Sequence, residues 1–184
     1  MDAGAEAVFT ASQALLALLS RLEIRPQAVA GHSTGEYSAF LASGTIEVDS
    51  EGQLIDHILD LNGIYERLAA QGQIPQAVLV AVGAADRNLV SSVVEQSNGA
   101  LYVAMDNCPH QVILCGTEQT ATPAIEQLQH KGAICNVLPL NRAYHTPLFE
   151  PVSNALRAFF ERLTIVSPKI NVYSCVTAQP YPQD

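Results

Sequence analysis

The sequence lacks tryptophan and has only two lysines, Lys131 and Lys169, in 184 residues. Nine basic residues stand against eighteen acidic ones, which gives a net charge of −9. Because no basic run is present, binding to nucleic acid or to an anionic membrane surface is disfavoured. No uninterrupted apolar run reaches the roughly 18 residues of a transmembrane helix. The amino-terminal segment carries Asp2 and Glu6 and no basic region, which argues against a signal peptide and favours a cytoplasmic location.

The cysteines also lack the spacing of a metal site or a redox motif. They are Cys108, Cys115, Cys135 and Cys175, with no C-x-x-C pair and no Cys/His cluster at zinc spacing. We therefore expect no metal, and we interpret the four as small buried hydrophobic residues, with a disulfide or a metal site as the less favoured alternative.

What the chain does contain is a pattern of alternating helices and strands. Hydrophobic residues make up 48% of the sequence and charged residues 15%, as in an ordered globular protein. Residues 4–21 have helical apolar spacing and predict a long buried helix. A short apolar strand at 27–30 follows, and then helices from 36 to about 44 and over 52–70. A helix–strand–turn–helix order is typical of α/β proteins.

A second unit is predicted inside this α/β core, over residues 76–140. Its pattern predicts strands at 77–83, 101–105, 111–115 and 134–140, helices at 86–97 and 118–131, and a turn at 106–110. The resulting β-α-β-β-α-β order is ferredoxin-like. Residues 1–75 and 141–184 would then form the core, with a further helix at 150–163 and a strand at 170–176.

The sharpest motif is G-H-S-T-G at residues 31–35, directly between a predicted strand and a predicted helix. This is the G-x-S-x-G pattern of a nucleophile elbow, in which a strained turn exposes the serine at the end of a strand. We therefore predict Ser33 as a nucleophile. The backbone N–H of Thr34 is a candidate oxyanion-hole donor at the start of the following helix.

A serine nucleophile needs a general base, and five histidines are candidates. His145 is favoured because its loop position suits a base, but the residues alone leave the others open. His32 adjoins the serine and could line the substrate entrance. His57 is expected on a solvated helix face, His110 in a turn, and His130 near a helix C-terminus.

Several segments together resemble a known family. They are GHSTGEYSAF, NCPHQVILCG, AYHTPLFEP and NVYSCVTAQP. The combination is similar to the acyltransferase domains of fatty-acid and polyketide synthases, the malonyl-CoA:acyl-carrier-protein transacylase family. The resemblance implies an α/β-hydrolase-like parallel-sheet core with a ferredoxin-like insert. It also implies a catalytic dyad of Ser33 and His145, in which a backbone carbonyl orients the histidine.

The resemblance further implies the substrates and partners. The acyl donor would be an acyl-CoA, and the acceptor the phosphopantetheine thiol of an acyl carrier protein. No cofactor or metal would be bound, and neighbouring synthase domains would be partners. The chain looks like a fragment that lacks both ends of the family's domain. His32, Asn62 and Tyr144 are expected to line the substrate pocket.

One departure from the family's pattern leaves the acyl group open. Malonyl-type members have an arginine in an R-G pair that binds the malonyl carboxylate, and Asn62-Gly63 stands at that pair here. The acyl group is therefore either malonyl, with another residue compensating, or a small group without a carboxylate; Tyr144 fits a small one. Two alternatives remain: an acyl hydrolase that releases acyl groups from the carrier protein, and a non-catalytic fragment or docking module.

Overall fold

The structure, a computed structural model, describes residues 3–182, with side chains from residue 6 onward. The chain divides into two compact units. Unit 1 comprises residues 1–66 and 156–184, and unit 2 comprises residues 67–155. The division into a core and an insert at residues 76 and 140 stays a prediction.

The helices and strands follow the predicted order. The helices are α1 (Ala3–Arg21), α2 (Gly35–Ser43), α3 (Glu51–Ala70), α4 (Arg87–Gln96), α5 (Glu118–His130) and α6 (Glu150–Phe160), with a 3-10 helix at Pro147–Phe149. The strands are β1 (Ala28–Ala30), β2 (Val78–Gly83), β3 (Leu101–Cys108), β4 (Gln111–Gly116), β5 (Ile134–Val137) and β6 (Asn171–Tyr173). Within the described part of the chain, no helix is long and apolar enough to span a membrane.

Unit 1 contains the parallel sheet. β1 pairs with β6 in parallel, with Val29 opposite Val172, and α2 packs against both strands. The prediction that the first helix is buried is wrong. α1 contacts α2, but Val8 is 57% exposed and Leu15 60% exposed, because its apolar residues cover more of the helix surface than α2 can bury.

Unit 2 contains a four-stranded sheet of order β3-β4-β2-β5, in which every neighbouring pair is antiparallel. One face packs against α4 and α5 through a core that includes Val80, Leu114 and Leu128. The other face buries a smaller cluster that includes Leu79 and Cys115. The two faces explain why its central strands are continuously apolar.

The hairpin between β3 and β4 differs from its predicted form. The turn expected over residues 106–110 is shorter, because β3 continues to Cys108 through two irregularities in its pairing with β4. The Arg87 guanidinium holds this extension by donating to Asp106 Oδ1 at 2.5 Å and to the Cys108 carbonyl. At the other edge, β5 ends at Val137 instead of residue 140.

Candidate active site

Ser33 lies in the turn between β1 and α2, and its backbone is left-handed, with φ of 55°. A non-glycine residue in this region is strained and persists only where its surroundings hold it. The Gly35 N–H donates to the His32 carbonyl at 2.9 Å, and the Glu36 N–H donates to the Ser33 carbonyl at 3.0 Å. A Cβ at Gly31 would overlap the Gly35 carbonyl. The predicted sharp strand-to-helix turn is therefore formed.

Thr34 is the N-cap residue of α2, and its side chain makes no capping hydrogen bond. Its backbone is already helical, with φ of −58° and ψ of −20°. The N–H of Thr34 thus belongs to the first turn of α2, where the helix dipole favours negative charge. His32 is exposed beside it, and Ser33 is half-buried.

The segment after β6 contacts both ends of this turn. Cys175 Sγ donates to the Gly31 carbonyl at 3.0 Å, and the Cys175 N–H donates to Glu36 Oε1 at 3.3 Å. The Tyr181 hydroxyl donates to the same Glu36 oxygen at 3.3 Å. Burial, together with the nearby Glu36 carboxylate, raises the pKa of Tyr181. Its hydroxyl therefore remains a donor at neutral pH.

His145 also has a left-handed backbone, with φ of 56°. The turn around it is held by Thr146, whose buried hydroxyl donates to the Ala143 carbonyl at 2.7 Å. The Tyr144 N–H donates to the Arg142 carbonyl at 2.8 Å, and the Tyr144 ring packs against Phe149 with centroids 5.2 Å apart. His145 itself is exposed.

The loop that carries His145 is attached to the sheet of unit 2. Ala143 is fully buried in the cluster on the face opposite α4 and α5, and Tyr144 packs against that cluster. The Ala77 N–H donates to the Asn141 carbonyl at 3.0 Å, just before β2. The loop that carries His145 is thus anchored to the sheet of unit 2 by the residues that precede the histidine. Because Ser33 belongs to unit 1 and His145 to unit 2, their pairing stays a prediction.

Asn62 lies on α3, and its amide nitrogen donates to Glu6 Oε1 on α1. Its other polar atom, Oδ1, is buried and has no hydrogen-bond partner among the described residues. Both residues belong to unit 1. The position therefore holds a neutral amide next to a carboxylate, and no positive charge.

The prediction that His57 is solvated is wrong. His57 is half-buried, and its Nδ1 is 3.0 Å from the Tyr37 hydroxyl. Its ring meets Phe159 edge to face, at 5.8 Å between centroids. These contacts place His57 in the helix packing of unit 1. Burial raises the pKa of its partner Tyr37 to about 12. His110 and His130 are exposed, as their predicted positions imply.

Sequence reasoning missed the groups that surround the serine turn. The sequence patterns assign no role to Glu36 or Tyr181, and they predict Cys175 only as a small buried residue. Their contacts join residues 139 and 145 positions apart, and no local pattern encodes such a pairing. The prediction that the cysteines are buried is confirmed for Cys115. Cys135 is half-buried, and the prediction is wrong for Cys108 and Cys175, which are exposed. Among the described residues, no cluster of His, Cys, Asp and Glu could hold a metal ion.

A left-handed serine between a parallel strand and a helix defines an α/β protein with a nucleophile elbow. The comparisons with known proteins agree. The family described as "Acyl transferase domain" matches residues 5–184. The chain therefore belongs to the acyl transferase domain family.

Individual relatives give the same result. The chain is 32% identical over 174 residues to 6-methylsalicylic acid synthase of Penicillium patulum, covering 92% of this chain and 9% of the synthase. It is 26% identical to the malonyl CoA-acyl carrier protein transacylase of Bacillus subtilis, covering 94% of this chain and 54% of that protein. The acyltransferase domain from the second module of the salinomycin polyketide synthase superposes with a TM-score of 0.79 at 28% identity, covering 97% of this chain and 40% of that one.

Proposed function

We propose that this chain provides the nucleophile and the base of an acyl transfer from coenzyme A to the phosphopantetheine thiol of an acyl carrier protein, in polyketide or fatty-acid synthesis. The observation that carries the proposal is the left-handed backbone of Ser33 in the turn between β1 and α2. The names of the relatives, a carrier-protein transacylase and polyketide synthases, support the acceptor and suggest neighbouring synthase domains as partners.

The first half-reaction would form an acyl-serine. His145 takes the Ser33 hydroxyl proton while the Ser33 oxygen attacks the thioester carbonyl of the acyl-CoA. The Thr34 N–H is one donor to the resulting oxyanion. Collapse of the tetrahedral intermediate breaks the carbon–sulfur bond, and the histidine returns its proton to the leaving coenzyme A thiolate. No metal or resident cofactor takes part.

The second half-reaction would reverse these roles with a new thiol. The pantetheine thiol of the carrier protein gives its proton to His145 and attacks the acyl-serine carbonyl. Collapse of this intermediate breaks the bond to the Ser33 oxygen, which recovers the proton from His145. An acyl hydrolase would differ only in using water at this step.

The Asn62 position supports an acyl group without a free carboxylate. A malonyl carboxylate needs a cationic partner when it is buried, since an unpaired buried charge is strongly unfavourable. Asn62 instead donates its amide to Glu6, and the Glu6 carboxylate would repel a second anion. We therefore include acetyl-like groups, besides malonyl, as substrates to be tested, with His32 and Tyr144 as further pocket residues.

The test is the intact mass of the protein after brief separate incubation with malonyl-CoA and with acetyl-CoA. We expect a single acyl adduct that is absent in Ser33→Ala and in which acetyl loads in preference to malonyl. Ser97→Ala, at the end of α4 in unit 2, is the matched serine control and should load normally. Malonyl loading in preference to acetyl would overturn the assignment at Asn62, and an adduct that persists in Ser33→Ala would overturn the nucleophile.

The second substrate is tested in the same preparation. Adding a carrier protein in its phosphopantetheinyl form should move the adduct mass from the acyl-serine to the carrier. Loss of the adduct to water at the same rate with and without carrier would instead identify a hydrolase. No adduct from either donor on the folded protein would favour a non-catalytic module.

A further inference from the structure

Two residues that flank Ser33 in its turn are both hydrogen-bonded to one distant segment, the residues after β6. Gly31 precedes the serine by two residues, and its carbonyl accepts from Cys175 Sγ at 3.0 Å. Glu36 follows it by three, and Glu36 Oε1 accepts from the Cys175 N–H and from the Tyr181 hydroxyl, each at 3.3 Å. All these residues belong to unit 1. The distance across the turn is therefore constrained from outside the turn.

The distant segment is itself well ordered by hydrogen bonds. The Ser174 N–H donates to the Gln179 carbonyl at 2.9 Å, and the Tyr181 N–H donates back to the Val172 carbonyl of β6 at 2.8 Å. The Tyr181 ring meets Phe40 of α2 edge to face, at 5.2 Å between centroids. Residues 174–181 thus form a compact turn, fixed at one end to β6 and at the other to α2.

The strained backbone of Ser33 needs such an external constraint. A non-glycine residue in the left-handed region costs on the order of 1 kcal/mol, and relaxation of the turn would recover that energy while moving the hydroxyl. A displacement of about 1 Å of a reacting group can cost about 100-fold in rate. A group that prevents the relaxation therefore acts on the chemical step more than on substrate binding.

We propose that Glu36 is a positioning residue for Ser33: with Cys175 and Tyr181 as its hydrogen-bond donors, it holds the turn between β1 and α2 in its reactive form. The effect on acylation rests on the proposed function, whereas the effect on the turn does not. This role requires no contact between Glu36 and the substrate or the Ser33 hydroxyl.

The test compares Glu36→Ala, which removes the acceptor, with Glu36→Gln, which keeps an oxygen acceptor and loses the charge. We expect kcat for acylation of Ser33 to fall about 10- to 100-fold in Glu36→Ala with KM within about 2-fold. Glu36→Gln should retain most of the parental kcat, and the kcat of Tyr181→Phe should lie between those of Glu36→Ala and Glu36→Gln. Asp60→Ala removes a 3.3 Å contact to Arg162 in the same unit and is the control that should leave kcat unchanged.

A second readout does not depend on activity. Hydrogen exchange of the peptide over residues 31–37 should be faster in Glu36→Ala and in Tyr181→Phe than in the parent, and unchanged in Asp60→Ala. Unchanged exchange in Glu36→Ala overturns the proposal, as does a parental kcat in that variant. If the parent protein forms no acyl-serine at all, the proposed function fails, and the exchange experiment alone decides whether Glu36 holds the turn.

Discussion

The two units of this chain bury their apolar surface to very different extents. In unit 2 the four-stranded sheet is covered on both faces, and Leu79, Cys115 and Leu128 have no exposure to solvent. In unit 1 the sheet has two strands of three residues each. Several apolar side chains of α1 are exposed there, among them Leu15 and Leu18, which are 60% and 53% exposed.

The difference shows that the two units are stabilised in different ways. Unit 2 is stabilised mainly by apolar burial, whereas the turn that carries the candidate nucleophile is constrained mainly by hydrogen bonds. The strained Ser33 lies in the unit with the smaller sheet, where hydrogen bonds from the segment after β6 constrain the turn. His145 is carried by a loop packed onto the better covered sheet of unit 2. Local openings cost less free energy where fewer apolar contacts are lost. We therefore expect the serine turn to be more easily perturbed than the sheet of unit 2.

The largest expected effect is on the serine turn. In Gly31→Ala the new Cβ would overlap the backbone of Gly35, which cannot move without breaking the turn. In unit 2, Gly116→Ala would place its Cβ 2.6 Å from the Thr120 hydroxyl oxygen and 2.9 Å from the Ala100 carbonyl oxygen. We expect Gly31→Ala to lose at least about 100-fold in acylation of Ser33, and Gly116→Ala to lose stability while its folded fraction stays active.

Intact-mass kinetics measures the rate of Ser33 acylation, and circular dichroism measures the folded fraction and the stability of each variant. The comparison between the units fails if Gly31→Ala acylates at the parental rate. It also fails if Gly116→Ala loses activity while fully folded.

The next largest expected effect is on the free energy of unfolding, when a leucine is truncated in each unit. Leu128→Ala removes a side chain with no solvent exposure from the core of unit 2, which should cost about 2–5 kcal/mol. Leu15→Ala removes a side chain that is 60% exposed, so we expect less than about 0.5 kcal/mol. Urea unfolding of the purified protein, monitored by fluorescence of the tyrosines, measures both. Equal losses in the two variants would mean that the Leu15 side chain is covered in solution.

The sequence sufficed for the features that are local. The strand, turn and helix around Ser33 follow from the spacing of G-H-S-T-G between apolar segments, and the order of elements in unit 2 follows from their periodicity. It could not predict which helix faces find a partner, so α1 was wrongly expected to be buried. It also could not predict the pairs Glu6–Asn62 and Glu36–Tyr181, because each joins residues far apart in the chain and depends on how helices and strands pack.

The smallest expected effect is a pH dependence of stability that arises at Cys115 in unit 2. Burial raises the pKa of the Cys115 thiol to about 11 from its usual 9, because the thiolate would be placed among apolar side chains. The folded state therefore binds this proton more tightly than the unfolded state between pH 9 and 11, so stability falls as pH rises through that range.

In Cys115→Ala this part of the alkaline loss should disappear, a difference on the order of 1–2 kcal/mol between pH 8.5 and 11. Burial likewise raises the pKa of Tyr37 in unit 1 to about 12 from 10. The loss of stability due to Tyr37 therefore begins about one pH unit higher than the loss due to Cys115. Urea unfolding of the parent and of Cys115→Ala across this range gives the measurement, with Cys108→Ala, an exposed thiol, as control. Parallel pH profiles in the parent and Cys115→Ala would mean that the thiol ionises as easily in the folded as in the unfolded chain, and that unit 2 is less tightly closed at Cys115 than its zero exposure indicates.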